Sequence, residues 1–362
     1  MDIAVVGGGH GCYAAAADLA EQGHNVRFWR RDAEAFAPVL ERQAITLKDY
    51  RGVRDVGLAL ATTDLAGAIE GAELVLSPLP ATAQAGVAAA LAPHLRDGQV
   101  VFIPPGTFGG YLMTRIARDA GSNANVAFAE SGTLPYLARK HAADEIAITT
   151  RATRLPTGVF PAARSADAFA VLEQAFPAIE RLADGLDGAL MNAGPIIHPP
   201  LIVMNAGPLQ HFEHWDIHNE GTQPAIRATT DALDAERIAV REVLGYGEPH
   251  FPLADHYDPE RPEWMYGNAA HERLTDSGDW REHIDLQTHR YMREDVACGL
   301  AFLASVAEWA GVPCPVARGL LAVCSAIVGE DLRSTGRTLE SLGLAGMTQA
   351  EMRQLLTEGL SA

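Results

Sequence analysis

The chain has 362 residues, 48% of them apolar, and a formal net charge of −18 from 46 acidic and 28 basic residues. That charge argues against nucleic acid or an anionic membrane surface as a partner, and the length predicts two domains. No apolar run reaches membrane-spanning length and no basic region precedes the first apolar run, so a cytoplasmic protein is expected.

The four cysteines, Cys12, Cys298, Cys314 and Cys324, have no metal-ligand spacing and are expected to be reduced thiols. Residues 3–6 are a short apolar run, the pattern of a buried parallel strand. Gly7-Gly-Gly9-His10-Gly11-Cys12 follows, and then an Ala-rich helix former over residues 14–19. Strand, glycine turn and helix form the opening unit of a dinucleotide-binding domain. Gly7 allows the tight turn, and Gly9 lets the backbone approach a pyrophosphate at the helix N-terminus. The third glycine of the fingerprint falls on Cys12, and Ala16 supplies a small residue one turn on.

A second strand over residues 26–29 leads into Arg30-Arg31-Asp32. An acidic residue at this strand end accepts from the ribose hydroxyls of NAD, whereas arginine pairs with a 2′-phosphate. Arg30 and Arg31 favour NADP. NAD stays open, with Asp32 on the ribose and the arginines solvated.

Helices are expected over residues 33–43, 64–69, 81–91 and 162–176. Strands are expected over 45–47, 56–60, 74–79, 100–103, 126–129 and 146–149. The alternation predicts an α/β fold, a Rossmann doubly wound parallel sheet over residues 1–190. Its strand ends at Pro80, Gly106 and Glu130 are expected to face the cofactor. Residues 191–362 read as an all-helical second domain, with helices over 190–206, 224–244, 289–310, 315–328 and 349–360. Small-molecule substrates are expected between the two domains.

Two segments of the helical domain offer chemistry. His198 sits in the apolar run Asn192-Ala-Gly194-Pro-Ile-Ile-His198-Pro199-Pro200, and the prolines predict that helix begins or kinks there. A lone histidine in such a run is ordinarily structural. In Arg290-Tyr291-Met-Arg293-Glu294-Asp295, Arg290 and Asp295 are five apart, roughly 140° around an α-helix, on neighbouring faces. Arg290 can hold a substrate carboxylate bidentately, and Asp295 can fix the tautomer of His198. Periodicity alone makes Arg293 and Glu294 equally good solvated charges. His211, His214 and His218 have i, i+3, i+7 spacing. That spacing fits a metal-binding helix face, though solvated or pocket-lining residues are the expected reading and no metal is called for.

The order of motifs adds to this. A glycine-rich Rossmann start is followed by the His198-Pro199 segment, Asp234-Ala-Glu236-Arg237-Ile, Arg290-Tyr-x-x-Glu-Asp295-Val and Gly336-Arg-Thr-Leu-Glu. Over essentially the whole chain this resembles the opine dehydrogenases, the octopine/nopaline and N-(1-carboxyethyl) amino acid dehydrogenase family. The resemblance implies a nicotinamide-dependent enzyme that condenses an amino acid with a 2-oxo acid, pyruvate by default, and reduces the imine. It implies His198 as acid/base, Asp295 as its orienting partner and Arg290 as carboxylate anchor. Cys12 and Arg30 depart from the family's NAD-type pattern. A keto-acid or hydroxy-acid reductase on the same two-domain plan is the alternative. Such an enzyme would use a lysine in the helical domain, and no lysine follows residue 191. A homodimer is left open, since no decisive apolar stripe marks an interface.

Overall fold

Short runs of β-branched and aromatic residues, each closed by a turn, form the strands. The computed structural model describes residues 1–360. Its strands are β1 (Asp2–Val6), β2 (Asn25–Trp29), β3 (Ala44–Asp49), β4 (Gly52–Gly57), β5 (Leu60–Thr62), β6 (Leu74–Leu76), β7 (Val100–Phe102), β8 (Ala127–Ser131), β9 (Tyr136–Lys140), β10 (Glu145–Arg151), β11 (Leu155–Phe160) and β12 (Ile179–Arg181). Eight of them form one sheet in the order β12-β11-β8-β7-β6-β1-β2-β5, and the others form a four-stranded sheet, β4-β3-β10-β9. From β5 to β8 every neighbour in the large sheet is parallel, the doubly wound arrangement. Among the described residues, no helix is long and apolar enough to cross a membrane.

Two compact units divide the chain. The first holds Met1–Leu79, Ala83–Ala189 and the chain from Leu356 onward; the second holds Pro80–Thr82 and Leu190–Leu355.

In the first unit the helix α1 (His10–Glu21) is buried along nearly its whole length, including Tyr13, Ala14, Ala15, Ala16 and Ala17. It shares one core with Val26 and Phe28 of the large sheet and with Ile45, Leu47, Tyr136 and Ile146 of the small one. Asp18 ties the small sheet to the helix: Tyr136 OH donates to its carboxylate at 3.0 Å and Arg151 Nε at 2.7 Å.

Several expected elements fold differently. The run 56–60 is not one strand. It ends β4 in the small sheet and begins β5 in the large one, with a turn between. Residues 45–47 lie in β3, which pairs with β4 as an antiparallel hairpin and takes no part in the parallel sheet. Pro156 and Gly158 hide β11 from pattern reading. Gly158 is required there, because a Cβ would lie 1.9 Å from the Asp184 carbonyl oxygen. Gly109 and Gly110 open a helix (Gly109–Asp119) that is not among the expected elements. The buried carboxylate of Glu130 accepts from the Phe108 and Gly110 N–H groups at 2.6 and 3.2 Å. Glu130 is therefore engaged in holding that helix start and does not present its side chain to a cofactor.

In the second unit, α2 (Gly194–Met204) runs through Pro199 and Pro200, so the helix neither begins nor ends at His198. It starts where Asn192 Oδ1 accepts from the Gly194 N–H at 3.0 Å. Helix α3 (Pro224–Val243) carries the Asp234-Ala-Glu236-Arg237 motif, and its role is architectural. Asp234 pairs with Arg237 at 2.6 Å and accepts from Leu253 N–H at 2.7 Å. Glu236 accepts from the Val316 and Ala317 N–H groups at 2.7 and 2.9 Å, capping the helix Pro315–Val328 from a distance.

The expected helix over 289–310 is two structures in series. Tyr291–Leu300 is a π-helix, and an α-helix (Ala301–Ala310) continues it. Close approaches accompany the wide turn. Gly299 packs on Pro195, where a Cβ would lie 2.1 Å from Cγ, and a Cβ on Gly336 would lie 2.2 Å from the Ala297 carbonyl oxygen. That carbonyl accepts from the Arg337 backbone N–H at 2.9 Å, a non-local contact.

Candidate active site

The dinucleotide loop is built by backbone constraints. Gly7 has φ +133°, and a Cβ there would lie 2.5 Å from Leu79 Cδ2 and 2.7 Å from Cys12 Sγ. A Cβ on Gly11 would stand 3.2 Å from both Leu134 and Pro78, whereas one on Gly9 would have nothing within 4 Å. Gly9 is also the N-cap of α1, with no side-chain cap and no acidic residue in the first turn. Open space before an uncapped helix start fits a pyrophosphate.

Cys12 is fully buried, with Sγ 3.8 Å from the Val6 and Pro78 carbonyl oxygens. Burial pushes its thiol up to about 12, so it serves as a small packed residue. Arg30 closes over Gly8, where a Cβ would meet its Nε at 2.7 Å. Its Nη1 lies 3.1 Å from Tyr13 OH and its Nη2 3.8 Å from Asp32. Arg31 is exposed beside it. Asp32 accepts from the Ala35 N–H at 3.0 Å, shaping its own turn. Pro80, expected at the cofactor, groups with the helical unit.

In that unit, His198 on α2 meets Asp295 on the π-helix, with Nδ1 2.9 Å from Oδ2. Their side chains are 15% and 8% exposed, so the pair is shielded yet reachable. Gly194 makes room for the carboxylate, since a Cβ there would stand 2.2 Å from Asp295 Oδ1. Burial raises the Asp295 carboxyl to about 7, with Arg290 pulling the other way. The Tyr291 ring stacks on the imidazole at 3.9 Å, and the His218 ring meets its edge at 5.7 Å.

Arg290 precedes the π-helix and is exposed, with its guanidinium 4.8 Å from the Tyr291 ring centroid. Among the described residues it makes no hydrogen bond or ion pair, which leaves its fork available to a carboxylate. The π-helix changes the expected geometry. Its hydrogen bonds join i to i+5, so residues five apart share a face, unlike the 140° of an α-helix. Arg290 and Asp295 are so related, with Tyr291 between them in sequence and against His198 in space.

Glu294 is not a solvated charge. Its Oε1 accepts from Ala81 N–H at 2.9 Å, while Arg337 Nη2 donates to the Ala81 carbonyl at 2.9 Å. Burial, with Asp295 adding to it, raises the Glu294 carboxyl to about 7. Arg293 does behave as a surface charge, paired with Glu330 at 2.8 Å. The helix Ala206–His211 stops at His211, so the histidine spacing does not define a shared helical face. Tyr291 and His218 were not legible as partners of His198: neither lies near it in sequence, and only the motif containing Tyr291 hints at it.

A dinucleotide fold with a histidine–carboxylate pair and an unpaired arginine defines an NAD(P)-dependent oxidoreductase. Residues 182–328 match the NAD/NADP octopine/nopaline dehydrogenase, alpha-helical domain, and residues 2–110 match the NAD-dependent glycerol-3-phosphate dehydrogenase N-terminus. An opine dehydrogenase of Arthrobacter sp. (strain 1C) is 28% identical over 358 residues, 97% of each chain. A vitopine synthase of Allorhizobium ampelinum is 26% identical over 377 residues, 95% of this chain and 96% of its own. An octopine dehydrogenase solved with NADH and pyruvate shares the fold, with a TM-score of 0.73 at 18% identity over 97% of this chain and 98% of that one. The helical part of the chain thus matches the octopine/nopaline dehydrogenase family, and nearly its whole length is similar to curated opine dehydrogenases.

Proposed function

We propose that the protein condenses the amine of an amino acid with a 2-oxo acid, pyruvate by default, and reduces the product to a secondary amine dicarboxylate, with NADPH preferred. The observation that carries the reading is the 2.9 Å His198–Asp295 pair, with Arg290, against Tyr291, making no side-chain hydrogen bond or ion pair.

The substrate ammonium gives a proton to His198 Nε2, since Nδ1 is engaged by Asp295. The freed amine attacks C2 of the oxo acid, whose carboxylate Arg290 holds in a bidentate pair. His198 returns the proton to the carbinol oxygen, the newly bonded nitrogen gives up a second, and the oxygen leaves as water. A nicotinamide cofactor held by the glycine loop at Gly7, Gly9 and Gly11 would supply the hydride that reduces the resulting C=N carbon. The product amine takes one further proton from solvent, so one amine, one oxo acid, one NADPH and one proton yield product, NADP and water. Asp295 orients the ring and stabilises its protonated form, and the stacked Tyr291 limits its rotation. Arg30 and Arg31 support the NADP preference by the charge they place at the end of β2.

The test is consumption of NADPH and NADH by purified protein with pyruvate alone, an L-amino acid alone, and both. Turnover that requires both substrates and favours NADPH is expected. Equal turnover with the oxo acid alone would assign a keto-acid reductase instead.

A further inference from the structure

The first unit holds a cation that the glycine motif does not account for. Lys140 is one of two lysines in the chain and ends β9 of the small sheet. Its backbone N–H donates to His10 Nδ1 at 2.9 Å, at the first residue of α1. Its ammonium lies 3.7 Å from the centroid of the Tyr13 ring, whose hydroxyl contacts Arg30 Nη1 at 3.1 Å. Among the described residues, the ammonium makes no hydrogen bond and no ion pair within 4 Å. Burial and then Arg30 push its pKa down to about 8, against weaker support from Asp144 and Cys12.

A lysine placed to stabilise the fold would be expected to face a carboxylate. This one faces an aromatic ring whose hydroxyl contacts a second cation, Arg30. The Tyr13 contact explains where the ammonium rests but does not neutralise its charge. Arg30 has the Asp32 carboxylate 3.8 Å from its Nη2, whereas Lys140 has no carboxylate in ion-pair contact. The place is also informative. Arg30 covers Gly8 at the end of β2, and in this fold the glycine loop and that strand end meet the adenosine ribose.

We propose that Lys140 and Arg30, delivered by the small and the large sheet, clamp the 2′-phosphate of NADP(H). The inference rests on the NADP reading above and assigns it a second residue. It also gives the four-stranded sheet a task beyond covering α1.

The test is calorimetric binding of 2′,5′-ADP and ADP, and of NADPH and NADH, to the full-length wild type, K140M and K140Q. Losing one charge-assisted contact is expected to weaken 2′,5′-ADP and NADPH by about tenfold or more, and ADP and NADH by less than about twofold. K140R should retain most of the affinity, and thermal melts identify any variant that fails to fold. Equal weakening of both ligand pairs would move Lys140 to the pyrophosphate and overturn the proposal, as would no weakening at all. A wild type that prefers NADH, with NADPH still selectively weakened by K140M, would keep the clamp and sink the preference. A wild type that prefers NADPH, with K140M unchanged, would do the reverse.

Discussion

The glycine loop and the π-helix both position chemistry, but by different means. The loop depends on what its own backbone must do: Gly7 takes φ +133°, and a side chain there would strike Leu79 and Cys12. The π-helix depends on what distant segments allow. Gly299 admits Pro195, Gly336 approaches Ala297, and Gly194 clears the Asp295 carboxylate. Local demands of the first kind leave a motif in sequence. Demands of the second kind leave scattered glycines whose partners are known only after folding.

Substitutions can separate the two regions. The largest expected effect is from His198→Gln, which should lower kcat/KM by about 10²–10⁴-fold, the usual range for losing a general acid/base. Cofactor affinity, measured by fluorescence titration, should be unchanged. Gly7→Ala should do the opposite and weaken cofactor binding first. If His198→Gln abolished cofactor binding as well, the division of labour would fail.

A smaller effect is expected from Gly194→Ala. Its Cβ would displace the Asp295 carboxylate, so turnover should fall and stability should drop by about 1–3 kcal/mol, the range for overpacking. Gly207→Ala, on the next helix with nothing within 4 Å, is the control and should leave both unchanged. Equal responses would show that close packing at the dyad is not the cause.

The smallest effect concerns pH. Asp295 and Glu294 have carboxyls raised to about 7 in the folded state, above ordinary carboxylate values. Between about pH 4 and 7 the folded protein therefore holds protons that the unfolded chain has lost, so stability falls as pH rises through that window. Asp295→Asn should reduce this slope in Tm against pH without abolishing it, because Glu294 remains. An unchanged slope would contradict the burial argument.

Much of the fold was legible. The parallel strands announced themselves as apolar runs, and the helices of the second unit as long periodic segments. What escaped was mostly non-local. The small sheet was hidden because the pairing of β3 with β10 joins segments about a hundred residues apart. The helix at Gly109 was hidden because its capping carboxylate comes from Glu130. The pairing of His198 with Asp295 was one open reading of the residues, which the family resemblance favoured; an α-helical reading set Arg290 and Asp295 on neighbouring faces rather than one. The π-helix resolves that discrepancy, and no periodicity in residues 291–300 reveals it. Lys140 escaped because its strand was not recognised.

The central claim is that hydride reaches a carbon bonded to nitrogen. The most direct measurement uses reduced nicotinamide cofactor carrying deuterium at C4, with pyruvate and an amino acid, and locates the label by mass spectrometry and NMR. The account predicts deuterium on the carbon that joins the amine nitrogen to the former oxo acid, formed only when both substrates are present. Deuterium in a 2-hydroxy acid, formed whether or not an amine is added, would contradict it.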